Sequence, residues 1–390
     1  HGAAEAKLHG QRPNLEAVRE ASASRVLKQS SDQADREVKG VTCPPPPRQQ
    51  PQQQRNTAGG DGGKGDDGSC EWLERSLADV HEKRGERCGP GHEKYAVTLV
   101  TGYYRMRSKH SVDSYMEWVK LFLLRLHTPT VVYTNCQTVR GAPQIGEILR
   151  ERQRLIPQRT HVRFLDLEHT DFARQFGPVF HTQESKDPEL GVGHNYWLYL
   201  VWLLKMESLM DAVRADVFCS RWFVWSDIGA LRNASHMYKH WPAVSRLDTV
   251  PRDRVLMGVI SGFASGDQSK WADAPTNSSQ WLRSGRHNLI DADHIIGTFI
   301  AFSTESNIHY EFYACLRETY KRLAAANHLI VKDQTVYNAL FLLHRDLFAL
   351  VPSRGASGDD QWRYVQHWLA SADERFKQDP LTELLLPKAV

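Results

Sequence analysis

The run Trp222-Phe-Val-Trp-Ser-Asp-Ile-Gly229 carries an aromatic, apolar stretch into the carboxylate of Asp227 and then into a glycine. In an open parallel sheet ligands bind at the carboxyl ends of strands, and a glycine there lets the chain turn and a ligand approach closely. A carboxylate so placed suits a hard cation such as Mg²⁺ or Mn²⁺, which takes oxygen ligands and completes its shell with water and a diphosphate. The competing assignment is a cap for the turn or helix that follows.

Lys332-Asp-Gln-Thr-Val-Tyr-Asn338 leads into the apolar stretch 336–343. Asp333 either caps that helix or, with Gln334, presents a carboxylate and an amide to a polyhydroxylated ligand. A third grouping is Thr101-Gly-Tyr-Tyr-Arg105, which follows an apolar run. Its aromatic faces and guanidinium suit a base, a sugar and a phosphate, unless the aromatic pair merely covers the core. Asn195 flanks an aromatic helical segment that contains Lys205, a residue that either reaches a phosphate or stays solvated.

Asp291 and Asp293 precede a strand-like run starting at His294, so they lie at the wrong end of a parallel strand and at the right end of an antiparallel one. They rank below Asp227. His181, His194 and His367 are the histidines to watch, and His367 is placed to complete a metal shell by folding back beside an earlier carboxylate. The chain has no GxxxxGK[ST] loop, no GxGxxG after a strand, no GxSxG elbow and no HExxH. Their absence removes P-loop kinases, Rossmann dehydrogenases, elbow-type serine hydrolases and zincins from the leading candidates.

Elements that alternate along the chain must position these groups. Strand-like runs at 95–101, 130–134, 162–167, 222–227, 255–260 and 294–302 are separated by helical patterns at 114–126, 145–155, 196–213, 308–324 and 334–343. This order predicts an α/β fold, a mostly parallel sheet covered by helices on both faces. The body spans 91–390. Residues 1–90 hold a run of four prolines after Cys43, a glutamine stretch at 49–54 and a Gly/Asp tract at 59–68, which is the composition of a stem or linker. Within it, 72–80 has apolar residues at helical spacing.

The 390 residues are 41% hydrophobic, enough to bury a large core, and the net charge of +3 is too even to point to nucleic acid or a membrane surface. No apolar run spans a bilayer, and a first residue His1 suggests that a leader or anchor was removed. The cysteines form no CxxC pair, which disfavours a zinc ribbon or a thioredoxin-type site, and chain proximity makes Cys70 and Cys88 the expected disulfide.

Taken together, Val97-Thr-Leu-Val-Thr-Gly-Tyr-Tyr104, Tyr115-Met-Glu-Trp-Val-Lys120, Val131-Val-Tyr-Thr134, the segment 199–205, Phe223-Val-Trp-Ser-Asp-Ile-Gly229 and Asp333-Gln334 resemble the HtrL/YibB-like proteins over residues 95–369. Asp333-Gln334 with Asn338 is also similar to the Asp-Gln-rich helix start of family 8 glycosyltransferases. The resemblance implies a GT-A-like fold and transfer of a sugar from a nucleoside-diphosphate donor, a UDP-sugar, to a glycan or glycoprotein. It implies that Asp227 holds Mn²⁺ or Mg²⁺, that Thr101, Tyr103 and Arg105 bind the nucleotide, and that Lys205 faces the phosphates or the donor sugar. It also implies that Asp333 and Gln334 lie at the transferred sugar, with Asp333 as the base. One departure is Trp225, which stands where many GT-A enzymes carry the first Asp of Asp-x-Asp. The stem, with the sequons Asn233-Ala-Ser235 and Asn277-Ser-Ser279, fits a type II enzyme of the Golgi lumen. The rival expectations are a binding module on the same fold and a metal-dependent hydrolase of nucleotide sugars or glycans.

Overall fold

The structure is a computed structural model that describes residue 88 and residues 94–232, 241–260, 294–353 and 358–370. The stem apart from Cys88, the 72–80 segment, both sequons, Asp291 and Asp293 lie outside the described residues.

Seven strands form one sheet in the order β3-β2-β1-β4-β6-β5-β7. They are β1 (Tyr95–Gly102), β2 (Thr130–Thr134), β3 (Thr160–Phe164), β4 (Ser220–Ser226), β5 (Val255–Val259), β6 (Ile295–Ser303) and β7 (Phe348–Pro352). β1 pairs in parallel with β2 and β4, and β2 pairs in parallel with β3. β6 runs antiparallel to both β4 and β5, while β5 and β7 are parallel. The fold is therefore α/β with a mixed sheet. Because β6 is reversed, the segment that leads into it lies at the same edge of the sheet as the end of β4.

Central strands buried on both faces read as continuous apolar runs, and every residue of β2 is buried. Alternation along β4 sends Trp222 and Val224 to one face, where Val97, Leu99, Val132 and Phe299 join them in one core cluster. That cluster is closed by α1 (Val112–Arg125) through Met116, Val119, Phe122 and Leu123, and by α3 (Pro143–Leu155) through Ile145, Ile148 and Leu149. The short helix α2 (Cys136–Gly141) precedes α3. The other face carries α4 (Asp171–Gln183), α5 (Tyr196–Ala215), α7 (Ile308–Ala325) and α8 (Asp333–Leu343), with the Tyr133 hydroxyl of β2 donating to the Ser208 carbonyl on α5 at 3.1 Å. Two short helices, α6 (Val244–Leu247) and α9 (Tyr364–Trp368), complete the described α-helices.

The helix starts follow side-chain chemistry. Ser111, Asn135, Thr170 and Asn195 each accept a backbone N–H from the first turn of α1, α2, α4 and α5, satisfying donors that the helix itself leaves without partners. Arg152, fully buried, donates to the carbonyls of Leu126 at 2.8 Å and Thr128 at 2.9 Å and to the Thr130 hydroxyl at 2.8 Å. It closes the end of α1 against the start of β2.

The expected Cys70–Cys88 disulfide is corrected: Cys88 is bonded to Cys219, 131 residues away in sequence. Parallel pairing sets Tyr95 beside Ser220, and Lys94 N–H donates to the Cys219 carbonyl at 3.2 Å, so sheet register rather than chain proximity chooses the partner. Cys315 is also disulfide-bonded. Among the described residues no helix is long and apolar enough to cross a membrane.

Candidate active site at the ends of the central strands

Because side chains alternate along a strand, Trp225 and Asp227 share the face opposite the Trp222 core. The Trp225 indole N–H donates to Asp227 Oδ1 at 2.7 Å. Asp227 N–H donates to the Thr298 carbonyl of β6 at 3.0 Å and its carbonyl accepts from Ala230 N–H at 2.8 Å, so the backbone turns sharply while the carboxylate stays fixed. Lys205 reaches the same point from the middle of α5. Its ammonium lies 3.3 Å from Asp227 Oδ1 and 2.9 Å from Asp333 Oδ2, and it donates to the Gly297 carbonyl at 2.9 Å.

These three side chains differ in exposure. Lys205 is 3% and Asp333 1% exposed, whereas Asp227 keeps 34% of its side-chain surface open although it lies deep in the fold. Asp333 comes so close because position 297 is glycine: a Cβ there would overlap Asp333 Oδ2 and approach the Tyr337 ring to 2.7 Å. Two carboxylates and one ammonium leave a formal charge of one negative. Burial raises the Asp227 carboxyl above the usual carboxylate range, against the pull of the Lys205 ammonium and the Trp225 indole. Burial would depress Lys205, but Asp227 and Asp333 together hold it above the usual lysine range.

Asp227 and Lys205 line a cleft of about 620 Å³. One wall is a face of α5: Leu198, Val201, Trp202 and Lys205 recur at helical spacing and all reach the cleft. The opposite wall is aromatic, with Tyr103, His110 and Tyr115 lining it. Behind them Trp118 lies 4.9 Å from the His110 ring and 5.1 Å from the Tyr115 ring, and the Arg232 guanidinium covers Trp118 at 4.2 Å. A third set, Glu189, His194, Lys332 and Gln334, brings polar groups to the same cleft.

The residues singled out from sequence divide among these places. Asp227, Lys205, Tyr103 and Gln334 line the cleft. Asp333 supports it from beneath, and it does not cap α8, whose N-cap is Lys332 with no side-chain cap bond. Thr101 is fully buried and donates to the Ser226 carbonyl at 2.8 Å, which ties β1 to β4. Arg105 is exposed and donates to the Gly141 carbonyl at the end of α2, away from the cleft. His367 lies on α9, but the residue of that helix that lines the cleft is Gln366. His181 stacks on the Tyr196 ring at 3.7 Å. His110, Tyr115, Arg232, Glu189 and Lys332 were not anticipated. Only the α5 face carried a usable signal, the periodicity of 198, 201, 202 and 205.

The chemistry of the donors sets what a cation would find. Both contacts to Asp227 use Oδ1, which leaves Oδ2 outside them. Mg²⁺ is commonly held by one or two carboxylates plus substrate phosphates, so this single oxygen fits a cation whose shell is completed by a diphosphate and water. Among the described residues the one cluster of three metal-ligating side chains is Cys88, Asp216 and Cys219, and two of these form the disulfide.

No family model matches the chain, and no curated protein is similar to it. Among solved structures, the PaToxG glycosyltransferase aligns with 76% of this chain and 92% of its own, at 10% identity and a TM-score of 0.28. Similarity at that level carries no argument about activity.

Proposed function

We propose that this chain is a glycosyltransferase that moves a sugar from a nucleoside-diphosphate donor, a UDP-sugar, to a glycan or glycoprotein acceptor. The observation that carries this reading is the carboxylate of Asp227, held by Trp225 and Lys205 at the carboxyl end of a central strand and one-third open to a cleft. Three kinds of surface meet there: apolar helix, aromatic wall and charged groups. The Tyr103, His110 and Tyr115 wall offers faces on which a base or sugar stacks.

Mn²⁺ or Mg²⁺ bound through Asp227 Oδ2 would supply Lewis-acid neutralisation of the departing diphosphate. Lys205 fixes the orientation of that carboxylate from below, and Asp333 holds Lys205 charged. Both act on Asp227, and Gln334 offers its amide to donor or acceptor hydroxyls. The Cys88–Cys219 disulfide supports an oxidising compartment, in keeping with the lumen of the Golgi or another secretory organelle.

The test is nucleotide release from a panel of UDP- and GDP-sugars with Mn²⁺, measured with and without glycan and peptide acceptors. Acceptor-dependent release that disappears in Asp227→Asn supports the transferase. Release of free sugar without an acceptor makes the chain a hydrolase. A metal-dependent rise in melting temperature with UDP but no turnover makes it a binding module.

A further inference from the structure

Asp333, the base expected from sequence, is 1% exposed and committed to Lys205, so it cannot meet an acceptor hydroxyl in the cleft. A second carboxylate does face the cleft. Glu189 is 42% exposed, with Lys332 Nζ 2.7 Å from Oε1 and His194 Nε2 2.8 Å from Oε2. His194 is fixed in turn by Asp187, whose side chain is fully buried. Asp187 Oδ2 lies 2.9 Å from His194 Nδ1 and accepts the Tyr199 hydroxyl at 2.8 Å, and Oδ1 accepts the Glu189 backbone N–H at 2.8 Å. These bonds hold the Asp187 carboxyl below its ordinary range in spite of burial. Gly193, at φ +116, makes the turn that brings His194 back beside Glu189, and a Cβ there would meet the Lys109 backbone nitrogen at 3.1 Å.

On the reading of the chain as a glycosyltransferase, we propose that Glu189 is the catalytic base that deprotonates the acceptor hydroxyl, with His194, Asp187 and Lys332 as positioning residues. A carboxylate has about four lone-pair sites, so one polar neighbour on each oxygen leaves others open, and Glu189 lines the cleft. The placement also fits the donor site. Lys332 grips Glu189 while its neighbour Asp333 grips Lys205, so consecutive residues at the start of α8 tie the base to the Asp227 end of the cleft. In the step, the acceptor O–H bond breaks and its proton goes to Glu189. The acceptor oxygen bonds to the anomeric carbon, and the carbon–oxygen bond to the diphosphate breaks with its electron pair leaving on the nucleotide. A single displacement assisted by an external base inverts the anomeric configuration.

The experiment uses the full chain, the UDP-sugar it turns over fastest and an accepted glycan. Glu189→Gln is expected to lower kcat by about 10²- to 10⁴-fold, with UDP affinity and melting temperature kept, and Glu189→Asp to recover part of the loss. His194→Asn should lower kcat while leaving the donor KM unchanged, and NMR of the product should show inversion. A Glu189→Gln kcat near that of wild type, a change confined to the acceptor KM, or a product of retained configuration overturns the assignment. UDP binding that persists in any of those cases leaves the glycosyltransferase reading standing. Failure to bind or turn over any nucleotide sugar removes both.

Discussion

Replacing Lys205 by methionine removes the ammonium and keeps much of the side-chain volume. Asp333 would then lose the partner of Oδ2 at 1% exposure, with Oδ1 already lacking a hydrogen-bond partner. Two unit charges 2.9 Å apart attract by about 6 kcal/mol at an effective dielectric of ~20, from which desolvation subtracts. Breaking a buried pair by deleting one member costs about 3–5 kcal/mol. Lys205→Met should therefore lower the urea unfolding free energy at pH 7 by that amount. The sign with pH is fixed by the raised folded-state value of Lys205. Its contribution is fully present below the unfolded lysine pKa of about 10.4 and is lost only as pH rises through the folded value, so pH 7 reads all of it. The double variant Lys205→Met/Asp333→Leu removes both charges, and well-packed apolar replacements of a buried pair are often neutral. It should unfold within about 1 kcal/mol of wild type, giving a coupling of at least ~2 kcal/mol. Single costs below about 1 kcal/mol, or a double cost equal to the sum of the singles, would refute the triad as a coupled unit.

Three further outcomes are expected. Gly297→Ala forces a methyl onto Asp333 Oδ2 and the Tyr337 ring, and should cost about 1–3 kcal/mol in chemical denaturation together with most of the turnover; a wild-type unfolding curve would contradict the packing. Asp227→Asn should abolish donor turnover. Because burial raises the Asp227 pKa in the folded state, the stability this group contributes is present below the unfolded value and lost as pH rises through the folded one, so the variant should compare more favourably with wild type at pH 7 than at pH 4. The opposite trend in urea midpoints would contradict the shift. Cys88→Ser opens a link between residues 131 apart and should cost about 2–5 kcal/mol, read as a lower melting temperature that reductant imposes on wild type as well.

Much of the fold was legible because it rests on local pattern. β-branched and aromatic runs marked β1, β2, β4 and β6, and apolar spacing placed α5 and α8 within about two residues of their ends. Five elements escaped: α2, α6 and α9 are too short to show a helical period, and α4 and β7 hid for other reasons. α4 carries Pro178 in its interior, a residue that ordinarily argues against a helix, and β7 is a five-residue apolar run that periodicity alone does not separate from helix. Asp227 was readable because an apolar strand ending in a carboxylate and a glycine is a contiguous signal.

What surrounds Asp227 was not readable, since nothing in the local sequence ties Lys205, Gly297 and Asp333 to one point. Their meeting depends on α5 lying across β4 and on β6 entering in reverse. Thr101 lies within β1 rather than in the turn, Arg105 follows the strand, and their polar atoms bond to Ser226 and Gly141, because neighbouring backbone carbonyls lie within reach. Glu189 with Lys332, and Cys88 with Cys219, are likewise pairs chosen by packing. The sequence by itself determined which segments bury a face and where a carboxylate leaves a strand, because burial and turning are decided over a few residues. The tertiary structure alone decided which charges face one another, because that depends on register and strand direction summed over the whole sheet.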